Sequence, residues 1–442
     1  MGEEGEDIIR TDVCIVGAGP AGVAASIRLS QAGIRHIIAD AAEFPRHKPC
    51  GDIITSGVLR ALGRLDSGLA EELKARKIFN PIWHSLIYPG GKSAISLDFL
   101  PFNGKEGEAG CYSVSRYELD AALLEKVRGS SMADFREGCR VKSMEDRKEG
   151  KLLRTEEGTL ILAGIVILAT GSGSQLPARA GMPVPDEDCA VGIRFHYENV
   201  DWNPQHTALF LNAGSMPGGL YLTPLPGGKC NVNLVLSMRK VKKEKAVLRE
   251  SLENMLESNP VLKKAFAHAR RCGQPEGSRL FLGLRQRPVS ANRLLLAGDA
   301  AGLIEFFSGN GIPQAYGSGI LAAEMAVKAL QSGDCSADFL RNYDRALQQK
   351  FRPGGFPARM VFNMLHHPLA GKLLVDFLAF LSDRPQTNAL LRNLLYHKKP
   401  LAVLLNPRFW YRLLFQKKRE NNMTSEQESG SLLQNRPESV LV

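Results

Sequence analysis

Several things are missing from this sequence. Its eight cysteines include no C-x-x-C pair, which argues against a disulfide framework or a zinc site, and no metal is expected. No apolar run reaches the length of about 20 residues that a bilayer-spanning helix needs; a run such as Leu160 to Ala169, LILAGIVILA, falls well short. The N-terminus, MGEEGEDIIR, is acidic, lacks the apolar core of a secretory signal, and has no Ser or Thr at the sixth position for myristoylation. Residues 385–419 contain no Asp or Glu at all. What remains is an ordinary globular balance, 44% hydrophobic and 23% charged over 442 residues, enough for two domains and an appendage. Lys and Arg exceed Asp and Glu by 10 (56 against 46), which favours anionic partners such as phosphates, nucleic acid or acidic lipid. These features point to a cytoplasmic chain, with a peripheral position at a membrane as a further expectation.

Three separated motifs carry the chemistry. Asp12 to Asp40, DVCIVGAGPAGVAASIRLSQAGIRHIIAD, reads as strand, tight turn, helix, strand. Gly17, Gly19 and Gly22 form G-x-G-x-x-G, with Pro20 and Ala21 opening the helix. The first glycine permits the turn, the second lets a pyrophosphate approach the backbone, and the third lets helix pack on strand. The helix N-terminus offers free N–H groups to phosphate, and Asp40 stands where an acid meets a ribose. Gly158 to Ser174 reads as a hairpin strand, then a buried strand ending in Ala-Thr-Gly, with Thr170 and Gly171 crossing near the cofactor again. Further on, LLLAGD ends a strand with Gly298 and Asp299, whose carboxylate could accept from a ribityl hydroxyl. Gly309, Gly311 and Ile312 then lead into a helix with Pro313 in its first turn. That N-terminus would direct positive charge at a flavin pyrimidine. The three motifs in this order select FAD. There is no second G-x-G-x-x-G after a strand, so no NAD(P)H domain is expected; the reductant is NAD(P)H visiting transiently or an external electron-donor protein.

In these motifs the chain resembles the glutathione-reductase-type FAD superfamily, in the branch that holds class A monooxygenases, flavin halogenases and geranylgeranyl reductases. The likeness spans about residues 8–345. It implies an α/β fold: a Rossmann-like FAD-binding domain, an inserted antiparallel β substrate domain and a C-terminal helical segment. SRYELDAALLEKV resembles the branch's Arg-x-x-x-Asp helix, so that Arg116 would reach the flavin or its phosphates; a surface i,i+4 pair with Asp120 is the other reading. GCRVKSME resembles the strand whose Val141 backbone brackets the adenine. PRHKPCGD is most similar to the geranylgeranyl reductase loop. The match implies that Arg46 contacts the cofactor backbone, that Cys50 and Gly51 lie beside the isoalloxazine, and that Lys48 serves a substrate diphosphate. For Cys50 two readings stand: packing and substrate positioning, which is favoured, or a proton relay. His47 is either a solvated loop residue or an acid. Tyr221, Pro224 and Asn233 match the reductases' aromatic-Pro hairpin. Two departures stand out. Glu305-Phe306-Phe307 replaces the family's proline near the reactive face, putting Phe306 and Phe307 in the substrate pocket, and the halogenases' Trp-x-Trp-x-Ile-Pro is missing.

The resemblance implies an FAD-binding domain from 8–78, 112–175 and 279–340, and a substrate-binding β domain from 79–111 and 176–278. Period-two runs around Pro-Gly-Gly support antiparallel strands in the second. Trp83, Phe195, Phe210 and Tyr221 are pocket candidates, although ordinary core is the commoner fate of any one of them. Residues 341–419 read as a basic helical region and 420–442 as a disordered tail. Leucines at helical spacing among the bases of 385–419 suit either a membrane-surface helix or a cap over the cleft. No nucleic-acid module is present, and the oligomeric state is left open. The expected activity is saturation of an isoprenoid alkene by an FAD-dependent enzyme. The alternatives are a class A monooxygenase acting on an apolar or aromatic substrate, and a binding protein like the Rab escort and GDP-dissociation inhibitor proteins, which share the fold without redox work.

Overall fold

Strand β1 (Ile8–Val16) passes from half-exposed to fully buried along its length, and β2 (His36–Ala39) is buried throughout. Burial on both faces is what a parallel sheet covered by helices requires. Helix α1 (Pro20–Gln31) joins the two strands. In this computed structural model, residues 8–89, 93–99, 108–211, 218–283, 287–305, 309–351, 363 and 367–382 are described. Phe306, Phe307, the basic segment 385–419 and the tail 420–442 therefore lie outside the described residues.

Among the described residues the strands form three sheets. In the eight-stranded sheet, β3 (Ala133–Arg136), β4 (Leu160–Leu168) and β5 (Leu294–Leu296) join the first two in the order β5–β4–β1–β2–β3, every pairing parallel. The sequence suggested a hairpin strand followed by a buried strand over 158–174. Instead β4 is one nine-residue strand, parallel to β1 over its length while its first half pairs antiparallel with Lys151–Thr155. Val16 is level with Leu168 and Ala39, and Leu168 with Leu296. Hence Gly17, Asp40, Ala169 and Ala297, the next residues along each strand, emerge together at one carboxyl edge, the place where open α/β sheets bind ligands.

The seven-stranded sheet runs in the order 270–281, 189–198, 229–237, 218–224, 206–210, 84–88, 95–98. It is antiparallel, as the alternation predicts, except that His206–Phe210 runs parallel to His84–Tyr88. Period two sorts its two faces. Leu220, Leu222, Val232, Leu234 and Leu236 are buried in a core with Phe195 and Phe210, under Leu252, Met255 and Leu262 of the following helices. Tyr221, Asn233, Val235 and Ser237, the intervening positions, line a cavity. Phe195 and Phe210 are thus core, Trp83 does not line the cavity, and Tyr221 is the pocket aromatic of the four. No helix among the described residues is long and apolar enough to cross a membrane.

One histidine ties helix to sheet. His36, at the start of β2, lies with Nδ1 2.9 Å from the Ile34 carbonyl and Nε2 2.7 Å from Ser26 Oγ on α1. A neutral ring protonated at Nδ1 donates to the carbonyl and accepts from the hydroxyl. Burial pushes His36 below the usual imidazole value, the Ile34 carbonyl pulling the other way. The unfolded chain takes up this proton near pH 6.5 and the folded chain resists it, so this contribution is intact above about pH 6.5 and lost as pH falls below it. We expect His36→Gln to flatten the pH dependence of the urea-unfolding free energy below about pH 6.5; an unchanged slope would show that folded His36 titrates normally.

Candidate active site

The carboxyl edge opens on a cavity of about 790 Å³. Its glycines are there for identifiable reasons. Gly17 has φ +107°, and a Cβ on it would lie 2.4 Å from the Ala169 carbonyl oxygen; one on Gly22 would lie 1.8 Å from the Gly17 oxygen. A Cβ on Gly19 would meet only the Arg46 guanidinium, at 3.7 Å, so space is open above the N-terminus of α1. That terminus has no side-chain cap, leaving its first N–H groups for a ligand. Asp40 accepts from the Ala18 N–H (2.7 Å) at one oxygen and the Ala42 N–H (2.9 Å) at the other. Thr170 Oγ1 is buried on the cavity wall with no protein partner, a polar group that a bound ligand would satisfy. Open cradle, uncapped helix and orphan hydroxyl fit a dinucleotide.

The loop of residues 41–52 supplies two cations, Arg46 and Lys48. Arg46 lies 3.6 Å from Asp40 and 3.8 Å from Asp120. Arg116, on α2 (Arg116–Arg128), lines the cavity and grips Asp120 in two bonds of 2.7 and 2.6 Å. The i,i+4 pair therefore forms, but it is buried, with side chains 4% and 2% exposed. Lys48 Nζ reaches to 3.8 Å from Asp299 and 3.4 Å from the position a Gly171 Cβ would take. This sets Lys48 against the Ala-Thr-Gly and Gly-Asp turns rather than apart from them. Gly298 donates its N–H to Ser318 Oγ (2.9 Å) on α3 (Ile312–Ser332), and a Gly311 Cβ would stand 3.1 Å from the Asp299 carboxylate.

Of the sequence candidates, Gly17, Gly19, Pro20, Ala21, Asp40, Arg46, Lys48, Cys50, Gly51, Arg116, Thr170, Gly171, Tyr221, Gly298, Asp299, Gly309, Gly311 and Ile312 share the cavity wall. Gly22 packs beneath the turn. Val141 is buried off the cavity, in the hairpin next to Cys139, whose N–H bonds the Asp40 carbonyl at 2.8 Å. Pro224 is also off the cavity, its carbonyl accepting from Ser113 Oγ. Its strand turns that face away, while Tyr221 three residues earlier faces in.

Sequence reasoning missed a buried polar cluster beneath Cys50. Asn231 Nδ2 donates to the Cys50 carbonyl (2.8 Å) and to the Asp52 carboxylate (2.6 Å), and Asn233 Nδ2 reaches the same carbonyl at 3.3 Å and Asn231 Oδ1 at 2.6 Å. Arg194 stands 3.4 Å from Asp52 and bonds Glu276 at 2.7 Å. Asp52 is 1% exposed and sits at φ +57°, a conformation that Asp and Asn tolerate better than most residues. The only sequence signal was two asparagines in an otherwise apolar strand. Removing the Asp52 carboxylate leaves Arg194 buried without it, at a cost of about 3–5 kcal/mol. Glu276 still pairs Arg194, so we expect Asp52→Ala to lose up to that much in urea unfolding. Asp52→Asn gives up the same charge but keeps an acceptor oxygen and the backbone preference and should lose less; equal losses would show that acceptor and positive φ add little beyond the charge.

Three kinds of likeness bear on this geometry. Residues 10–346 match the FAD binding domain family. The chain is 25% identical, over 77% of its length and 84% of the relative's, to a digeranylgeranylglycerophospholipid reductase of Thermoplasma acidophilum. It is 28% identical, over 81% of its length and 85% of the relative's, to a menaquinone reductase of Mycolicibacterium smegmatis. A solved geranylgeranyl bacteriochlorophyll reductase-like protein of Thermoplasma acidophilum superposes with TM-score 0.75 at 22% identity, covering 90% of this chain and 99% of that one. The flavin-dependent brominase Bmp2 superposes at 0.62 and 18% identity, covering 87% and 98%. With most of its length matched by one model and the cradle described above at its centre, the chain belongs to the FAD binding domain family and is an FAD-dependent oxidoreductase.

Proposed function

We propose that this oxidoreductase saturates carbon–carbon double bonds of an isoprenoid lipid, as a geranylgeranyl reductase does. The observation that carries the reading is that one cavity joins the dinucleotide edge to an apolar wall that includes Leu209, Val235, Leu280, Leu282, Leu374 and Leu378. Relatives named as reductases of geranylgeranyl lipids and of menaquinone share most of the chain. In this reading the Gly17–Gly22 turn and α1 hold the pyrophosphate, Asp40 the ribose and Asp299 the ribityl chain, with Arg46 and Arg116 supplying positive charge. Bound and reduced by NAD(P)H or an electron-donor protein, FAD would supply a hydride to one alkene carbon, with an acid or water giving the proton to the other.

The chain's own residues orient the alkene, exclude water and provide for the proton. The Tyr221 phenol holds its proton at neutral pH even at its ordinary value, and burial, with Glu305 adding to it, pushes it up to about 12. Cys50 is held by the asparagine amides on its carbonyl; its thiol positions the substrate by packing. Lys48 stands 3.8 Å from Asp299, too far for a tight pair, and its ammonium offers further N–H groups to an anionic headgroup.

The deciding experiment is anaerobic. The yellow protein is reduced and given a geranylgeranyl lipid before any oxygen is admitted. Reoxidation without oxygen, with hydrogen gained in the lipid's mass, is expected. A flavin that stays reduced until oxygen enters, followed by an oxygenated product, would overturn this in favour of a class A monooxygenase, and a colourless protein would favour a binding role. Two variants accompany it. Asp299→Ala should purify without flavin, and full retention would remove Asp299 from the cofactor site. Cys50→Ala should lower product yield by about tenfold at constant flavin content, by misplacing the alkene; an unchanged product profile would reduce Cys50 to filling space.

A further inference from the structure

Helix α4 (Pro368–Ser382, PLAGKLLVDFLAFLS) is apolar on two opposite faces. At about 100° per residue, Gly371, Leu374, Val375 and Leu378 share one side; Leu374 and Leu378 line the cavity, and Gly371 and Val375 are buried. Leu369 and Leu373 stand one turn apart on the other side, 60% and 58% exposed. A helix of a globular protein ordinarily turns polar residues outward there. Scattered exposed leucines need no explanation. Two of them on the outer face of a helix whose inner face walls an apolar cavity do. Asp376 lies on the same outer face and pairs with Lys372 on the flank at 2.5 Å, so the face carries little net charge.

The neighbouring surface is basic. The helix Met238–Glu244, MRKVKKE, is followed by Lys245, and Lys243 and Lys245 are exposed. Arg239 donates to Asn363 Oδ1 at 3.1 Å. Asn363 precedes the first residue of α4 by five positions, a reach of at most about 18 Å, so the contact holds the basic helix within that span of chain from the start of α4. Exposed leucines flanked by lysines are the composition of a surface that rests on anionic lipid. Fifteen residues are too few to cross a bilayer and enough to lie in its headgroup boundary.

We propose that the outer face of α4, with the adjoining basic helix, seats the protein on an anionic phospholipid bilayer, so that isoprenoid tails reach the cavity past α4 without crossing water. This rests on the isoprenoid reading and adds to it the source of the substrate and its route. The test floats flavin-loaded, full-length protein with vesicles of phosphatidylcholine, with and without phosphatidylglycerol. Leu369→Gln/Leu373→Gln keeps helix propensity and should lower the vesicle-bound fraction about tenfold on both compositions. Lys243→Gln/Lys245→Gln should weaken binding only to the anionic vesicles, and salt should mimic it. Both should keep full flavin and full turnover of substrate dispersed in detergent. Wild-type protein that fails to float would overturn the proposal, as would a leucine variant that floats like wild type, which would direct attention to residues 383–442 or to a second copy. If wild type floats but leaves the detergent-dispersed isoprenoid unreduced, the docking face stands and the isoprenoid reading falls.

Discussion

The Asn231 side-chain amide bonds the Cys50 carbonyl and the Asp52 carboxylate at once, and much of the site's geometry follows from that tie. The loop from 41 to 52 leaves the eight-stranded sheet after Asp40 and must hold Arg46, Lys48 and Cys50 on the cavity wall. A loop with this much polar backbone keeps one conformation only if its buried groups are paired. The seven-stranded sheet provides the pairing through Asn231, Asn233 and Arg194, all on strands that also form the cavity's apolar wall. Loop, cations and wall are therefore fixed relative to one another by one buried network. The price is an Asp–Arg pair almost wholly out of water, with Asp52 Oδ1 and Arg194 Nε left without a partner, so the pair relies on the bonds that Asn231 and Glu276 add.

The opposite wall follows a different logic, that of close approach. Gly17 against Ala169, Gly22 against Gly17 and Gly311 against Asp299 are places where a Cβ would collide or crowd. Those contacts bring backbone N–H groups and a carboxylate to a common edge without long side chains in the way. A dinucleotide met by backbone is met by groups that cannot rotate away, so little is lost in ordering the site.

What could be read in the sequence was what local spacing determines. The glycine turn, Asp40 at the end of its strand, Ala-Thr-Gly and Gly-Asp were legible because each is a contiguous strand-to-turn signal, and in-register parallel pairing then brings them together. The Arg116–Asp120 pair was legible from its spacing, but not its burial, which depends on what packs over α2. Contacts across long separations were not legible: Asn231 and Asp52 are 179 residues apart, and an asparagine in an apolar strand says nothing of the partner it meets. Val141 and Pro224 show the converse. Both sit in recognisable motifs, yet neither lines the cavity: strand pleat turns Pro224 away, and Val141 is buried in the neighbouring hairpin. The sheet's single parallel pairing, 84–88 with 206–210, was hidden for the same reason, since alternation fixes which face is buried and not which way the neighbour runs.

The strand order has a consequence in time. The cavity edge needs β1 from the first residues described, β4 from residues 160–168 and β5 from 294–296, then Gly311 at the head of α3. None of these pairings can close until the later strand exists, and each closes a loop of more than a hundred residues, which is slow. During synthesis the N-terminal turn must wait, its glycines bare, for nearly three hundred residues to follow. The dinucleotide cradle is thus among the last parts of the molecule to be completed. A cofactor that binds only the finished edge would act as a latch on the whole chain, drawing the folding equilibrium toward the native state by mass action.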